Sequence, residues 1–354
     1  GWMEKDEEVD LPAEFEWAQL ALHEECAMNE VCELLKGHYV SDDVFWRFNL
    51  SKASLKWALL PPGYHAYWHV GIRAKATGQL VALITGTPCT MRVHTHVLSN
   101  IIINFLCVHR DVRASGLAPK LITEITRRSG QKGVYQAVYT LNDLKSRPVS
   151  VAQWWHRSLN VKKLVDVRWI QLNPRETLQR NMKKYALPER TKYPLTRLTL
   201  EDCASAHTLL KRYLKEMRLA RQFSSEEFVH NFLPRDGVVD TYILKDATGA
   251  VSDLMSFFFC DTTLLRKPKG HEGMKIAYSH YNVVSTADAE QFIIDAMVIA
   301  RNSGCDVYNM LDVMDNANLF DALKFDVGDG KMHYHIYNWV CPSILSRDVG
   351  LVLL

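Results

Sequence analysis

Apolar and polar positions follow one plan twice along this chain. The first run opens on the short strand pattern Phe15-Glu16-Trp17 and continues with helical periodicity to about Tyr39. The second opens on Leu195-Thr196-Arg197-Leu198 and is helical from Glu201 to Met217, with Thr199 and Asp202 as N-cap candidates. Each run then has a hairpin. Trp68 to Arg73 turns at Ala76-Thr77-Gly78 into Leu80 to Ile84; Asp240 to Leu244 turns at Ala247-Thr248-Gly249 into Val251 to Phe259. Glycine supplies the positive φ such turns require.

A helix ending in Arg-x-Ser-Gly follows in each run, Leu121 to Gly130 and Phe292 to Gly304, and then a strand, Gly133 to Tyr139 and Asp306 to Leu311. Each copy is expected to close with another helix and strand, ending near Trp169-Ile170 and near Ile336-Tyr337. Pro174, Pro188 and Pro194 break structure between the copies. The expected division is an N-terminal remnant (1–14), a first half (15–180) and a second half (181–354). A mixed α/β unit used twice implies two halves related by a pseudo-twofold.

Composition narrows the class. With 354 residues, 47% hydrophobic and 23% charged, the chain can bury two domain-sized cores. Its 42 basic and 40 acidic residues leave a net charge of +2, which argues against nucleic acid as a partner. The eight cysteines, scattered without a CxxC pair, read as free thiols of a reducing compartment. The longest apolar run, Ile101 to Val108, is interrupted by Asn104 and falls far short of the ~20 residues of a membrane span. No signal peptide is seen, so the cytoplasm is the expected location.

The chemistry concentrates in a few segments. The apolar strand Ile101 to His109 runs into Arg110-Asp111-Val112-Arg113-Ala114-Ser115-Gly116-Leu117-Ala118-Pro119 and then a helix. Small residues at a helix N-terminus let backbone N–H groups approach a phosphate, and Arg113 adds a full positive charge. The chain closes on the apolar run Val349-Gly350-Leu351-Val352-Leu353-Leu354. Such an end is expected to dock in the fold and carry its α-carboxylate inside, where it could act as a general base. Cys107 and His109 share a strand face, but Cys107 sits in an apolar run and reads as buried structure rather than a nucleophile. His94 with His96, and His333 with His335, have two-ligand spacing without an evident third ligand, so no metal is expected.

These motifs resemble a known family. Arg113-x-x-Gly116-x-Ala118 fits the pyrophosphate loop of acyl-CoA transferases, and the element order is similar to the GCN5-related acyltransferase fold. Its duplicated version, with Asn104-Phe105-Leu106-Cys107-Val108-His109, Trp155-His156-Arg157-Ser158-Leu159-Asn160, Gly328-Asp329-Gly330 and the C-terminus, resembles the eukaryotic N-myristoyltransferases over about Phe15 to Leu354. The resemblance implies two such halves sharing a continuous saddle-shaped sheet. It implies myristoyl-CoA as co-substrate with no bound cofactor, and N-terminal glycine peptides with a downstream basic residue as acceptors. A monomer is expected.

Residue by residue, the family pattern implies the Leu354 carboxylate as base, the Phe105 and Leu106 N–H groups as oxyanion donors, and Thr140 beside the glycine amine. It assigns Arg113, Ala114, Ser115, Gly116, Leu117, Ala118 and Pro119 to acyl-CoA. It assigns Asp42, Asp43, Phe45, Phe48, Trp154, His156, Tyr278, Asn309, Asp329 and Gly330 to the peptide groove. The chain departs from the pattern at several places. Ile103 stands where the family has Glu, Ser115-Gly116 where it has Lys-Arg, Trp154 where it has Tyr, and Asp326 where it often has Gly. The family's Phe-Trp-x-Thr-Gln-Pro segment has no counterpart in this sequence. The alternatives are an acyl-CoA N-acyltransferase with another acyl chain or acceptor, and a degenerate protein that binds acyl-CoA or glycine peptides without turnover.

Overall fold

The computed structural model describes residues 7–39, 46–141, 147–172 and 175–353. The first half runs β1 (Phe15–Gln19), α1 (Glu25–His38), β2 (Trp46–Asn49), α2 (Lys52–Leu59), β3 (His69–Ala74), β4 (Leu80–Val93), β5 (His96–Val108), α3 (Leu117–Gly130), β6 (Gln136–Leu141), β7 (Ser150–Ser158) and α4 (Val161–Asp166). A short α5 (Leu178–Lys184) leads to the second half. There follow β8 (Thr196–Arg197), α6 (Cys203–Leu214), β9 (Leu219–Arg221), α7 (Ser225–Phe232), β10 (Val239–Lys245), β11 (Val251–Leu264), β12 (Gly273–Val283), α8 (Ala289–Asn302), β13 (Val307–Leu311), β14 (Asp326–Tyr337) and β15 (Val349–Gly350).

The repeat is real: β3–β4–β5–α3–β6 is matched by β10–β11–β12–α8–β13, and both hairpin turns place glycine at positive φ, Gly78 at 67° and Gly249 at 84°. Helix α3 buries Leu117, Leu121 and Ile125, one apolar row at i, i+4, i+8, against Ile84 and Ile101 of the sheet. Helix α8 buries Phe292, Ile293, Ala296, Met297 and Ala300 in the same manner. One expected cap differs. Asp202 makes no side-chain bond to the α6 backbone; Thr199 Oγ1 donates to Asp202 Oδ2 instead.

Among the described residues, all fifteen strands join one sheet, whose central order is β5-β6-β14-β7-β13-β12. The closing strands are exchanged. β14, from the second half, pairs with β6 of the first, and β7, from the first half, pairs with β13 of the second. β14 and β7 pair with each other at the centre. The first copy's expected helix-then-strand ending is therefore corrected: strand β7 comes first, α4 follows it, and Trp169-Ile170 lies outside any strand. The exchange explains the order, since β7 must cross to the other half before its helix can cover the sheet.

Two irregularities shape the middle of the sheet. The β4–β5 ladder shifts register between Thr85↔Phe105 and Gly86↔Ile103, leaving Asn104 as the bulged residue. Gly86 makes room there: a Cβ would lie 2.3 Å from Ile101 Cδ1 and force that side chain to move. The parallel β5–β6 pairing covers only Asn100↔Gln136 to Ile102↔Val138, although β5 runs on to Val108 and β6 to Leu141. The two strands part there and leave a wedge.

Candidate acyl-transfer site

The wedge opens into a cavity of about 230 Å³. Phe105 and Thr140 line it from the parted strands, Trp154 from β7, Tyr278 from β12, Phe48 from β2, and Leu353 from the C-terminal run. Five residues read from the sequence, scattered from 48 to 278, thus share one wall. The remaining lining was not singled out in the sequence. Leu50, Leu55, Trp57 and Ala58 come from α2 and the segment before it, and Phe258, Phe259 and Cys260 come from β11. In sequence these are ordinary core residues, and only the sheet's curvature around the wedge turns them toward a cavity.

Backbone donors lie at the parted strands. His109 N–H donates to Val81 O, so in the antiparallel alternation the N–H groups of residues 107 and 105 also face β4, and that of Leu106 faces the side vacated by β6. The bulge diverts Phe105 N–H onto Thr85 Oγ1 at 3.1 Å. Burial pushes the Cys107 thiol up to about 12 and the Cys260 thiol to about 12, so neither is a thiolate nucleophile at neutral pH.

A polar groove continues from the cavity. His156 Nδ1 donates to Asn309 Oδ1 at 2.6 Å. The Tyr278 hydroxyl is hydrogen-bonded to Asn309, and burial raises its pKa well above the phenol range. Trp154 stands edge-on to Tyr278, with centroids 5.2 Å apart. Gly328 passes under the imidazole: a Cβ there would lie 2.1 Å from His156 Nε2. Asp329 and Gly330 are exposed, with Gly330 close against Trp154. Asp326 accepts from the Tyr185 hydroxyl at 2.6 Å, beside Lys184, so its charge is partly answered within the chain.

The residues expected to meet the acyl-CoA phosphates lie beyond the far end of β5. Arg110–Ser115 form a 3-10 turn, Gly116 takes the left-handed conformation (φ 67°), and α3 begins at Leu117. No side chain caps α3, and Arg113 through Gly116 are exposed. Arg113 reaches across the loop to the carbonyls of Val108 and His38. The His38 and His109 rings lie with centroids 3.8 Å apart at a tilt of 37°, and burial, then His109, Arg110 and Arg113, hold His38 below the usual imidazole range. The pseudo-equivalent loop in the second half differs. There Asp253 accepts from the N–H groups of Ser285, Thr286 and Ala287, and Asp288 caps α8, so protein carboxylates already fill that turn. Of these two equivalent turns, the one before α3 is exposed and carries no side-chain cap, while the one before α8 is filled.

The C-terminal run is held in place. β15 pairs with β9, and Leu351, Val352 and Leu353 are buried. Asp42, Asp43, Phe45 and Leu354 lie outside the described residues. Among the described residues, no group of three His, Cys, Asp or Glu side chains could hold a metal, and no helix is long and apolar enough to cross a membrane.

Duplicated mixed halves sharing one sheet, with a bulged strand whose neighbour parts from it, define a doubled GCN5-related fold. A GCN5-related N-acetyltransferase from Anabaena variabilis shares the fold at 11% identity and a TM-score of 0.53, over 91% of this chain and 72% of that one. The chain matches the family models described as Myristoyl-CoA:protein N-myristoyltransferase, N-terminal domain, over residues 3–152, and C-terminal domain, over residues 166–350. It is 42% identical to the Drosophila melanogaster glycylpeptide N-tetradecanoyltransferase, over 97% of this chain and 73% of that protein. It is 41% identical to glycylpeptide N-tetradecanoyltransferase 1 of Arabidopsis thaliana, over 99% and 81%. A Saccharomyces cerevisiae N-myristoyltransferase structure with bound myristoyl-CoA superposes with a TM-score of 0.94 at 32% identity, covering 99% of this chain and 87% of that one. The chain belongs to the myristoyl-CoA:protein N-myristoyltransferase family.

Proposed function

We propose that this chain transfers myristoyl from myristoyl-CoA to the α-amine of an N-terminal glycine, acting in the cytoplasm on peptides or nascent proteins with a basic residue downstream. Residues 15–180 would hold the acyl-CoA, and residues 181–354 would supply most of the peptide groove and the base. The observation that carries the reading is the shared cavity at the β5–β6 wedge, where Phe105, Thr140, Trp154, Tyr278 and Leu353 meet.

Glycine's α-ammonium has a pKa of ~8 and cannot attack while protonated. The Leu354 carboxylate would take that proton; an α-carboxyl group titrates near ~3.5 in water, and desolvation raises it toward a useful base. Thr140 would orient the amine. As the amine nitrogen bonds to the thioester carbon, the carbonyl oxygen becomes an oxyanion, received by the N–H groups of Leu106 and Phe105. Phe105 N–H would have to turn from, or be shared with, Thr85 Oγ1. Collapse of the intermediate breaks the C–S bond, the nitrogen's surplus proton passes to the departing thiolate, and CoA leaves as the thiol. No acyl-enzyme is needed, in keeping with the protonated state of Cys107 and Cys260.

A second reading, an acyl-CoA or glycine-peptide binder without turnover, draws on Ser115-Gly116 at the loop. The test is CoA release from myristoyl-CoA with a Gly-x-x-x-Ser-Lys peptide beside its N-acetylated twin. Release only with the free amine supports amine acylation. No release with either, despite measurable acyl-CoA binding, favours the binder.

A further inference from the structure

We infer that Gln153 is a positioning residue for Asp329, and thereby sets the preference for a basic residue in the acceptor peptide. The inference rests on the groove reading of Asp329 given above. In the β7–β14 ladder, Val327 pairs with Trp155 and Lys331 with Gln153, so Gly328, Asp329 and Gly330 together oppose the single residue Trp154. The three residues bow out of the sheet, and two of them are glycines, whose backbone has the widest freedom. Left alone, such a turn would carry Asp329 through many directions, and binding a cation would have to order it first.

Gln153 removes that freedom. Its amide nitrogen donates to Gly328 O at 2.6 Å and to Gly330 O at 2.8 Å, the two carbonyls flanking Asp329, and it also lies 3.1 Å from Trp154 O. Only the nitrogen end of the amide can face these carbonyls, which have no hydrogen to offer. The clasp has its own footing: Gln153 N–H donates to Asp312 Oδ1 at 2.8 Å, and Asp312 N–H returns to Gln153 O at 3.1 Å. Asp329 itself stays exposed, so the clasp fixes the turn without using its carboxylate.

The test compares kcat/KM for a Gly-x-x-x-Ser-Lys peptide and its norleucine analogue in the wild type, Gln153→Leu, Asp329→Asn and the double variant. The Lys-to-norleucine ratio is internal to each preparation and does not depend on its active fraction. In Gln153→Leu the ratio is expected to fall about 5-fold, through KM for the lysine peptide and not through kcat. The double variant is expected to match Asp329→Asn, because there is then no carboxylate left to position. If Gln153→Leu fails to fold, Gln153→Asn, one methylene too short to span both carbonyls, replaces it. An unchanged ratio in the Gln153 variant, with Asp329→Asn losing the preference, overturns the inference and leaves the groove reading standing. A preference that survives Asp329→Asn overturns both. A fall in kcat with both peptides marks Gln153 as structural and also overturns the inference.

Discussion

The hydroxyl of Tyr334 donates to the carbonyl oxygen of Leu351 at 2.8 Å, tying the central strand β14 to the last residues of the chain. Tyr281 holds the same run from β12, accepting from Val352 N–H and donating to Gly350 O. Tyr334→Phe leaves a buried carbonyl without its donor. We expect a stability loss of about 1–2 kcal/mol in urea unfolding. We also expect kcat to fall more than the KM for acyl-CoA, since the proposed base follows this run. Unchanged kcat in a folded variant would detach the run from catalysis.

Blocking the terminal carboxylate tests the base directly. One glycine added after Leu354 moves the carboxylate by about 3.5 Å and leaves an amide in its place. Single-turnover acylation is expected to slow about 100-fold or more, with acyl-CoA affinity retained by calorimetry. Full activity would remove Leu354 from the mechanism.

Gly328 and His156 test the groove. In Gly328→Ala the new methyl would lie 2.1 Å from His156 Nε2, so the ring must swing and strain its bond to Asn309. Peptide KM is expected to rise about 10-fold, with acyl-CoA binding unchanged. Loss of acyl-CoA binding instead would contradict the separation of the two sites.

Gly116 tests the loop in the opposite sense. Its φ of 67° is left-handed, so Gly116→Val carries a backbone penalty of about 1–2 kcal/mol and withdraws the N–H groups at the start of α3. Acyl-CoA affinity should weaken while peptide affinity, measured on a preformed acyl-CoA complex, holds.

Acid should destabilise the protein through two imidazoles. Burial pushes His69 down to about 4 and His280 to about 3, the latter helped by Arg221, against ~6.5 in the unfolded chain. Both are neutral when folded, so below pH ~6.5 the unfolded state takes up protons that the folded state refuses. Each should remove about 2 kcal/mol between pH 7 and 5. Urea unfolding of His69→Gln at the two pH values should show a correspondingly smaller loss; an equal loss would mean His69 does not set the slope.

Much of this molecule is local in origin. The turn glycines Gly78 and Gly249, the apolar rows of α3 and α8, and the loop from Arg113 to Pro119 are set by nearest neighbours and by 2.0- and 3.6-residue periods, which a sequence displays directly. The repeat was legible for the same reason. The roles proposed for Thr140, Trp154 and Asn309 rest on resemblance to a family, since a Thr, a Trp and an Asn on strands carry no chemical signature of their own.

Pairing between distant segments was decided by tertiary structure. The exchange of β7 and β14 between halves joins residues far apart in the chain, and no periodicity records which strand lies beside which. The misplaced ending of the first copy, with β7 before α4, came from that exchange. The same pairing brings Gln153 to the carbonyls beside Asp329, and Phe258 and Cys260 to a cavity wall rather than a solid core. Sequence determined the elements and the exposed turn before α3, because short-range sterics and hydrophobic period act within each segment. The fold decided where the strands part, and with that where two substrates could meet, because a wedge exists only between strands brought together from across the chain.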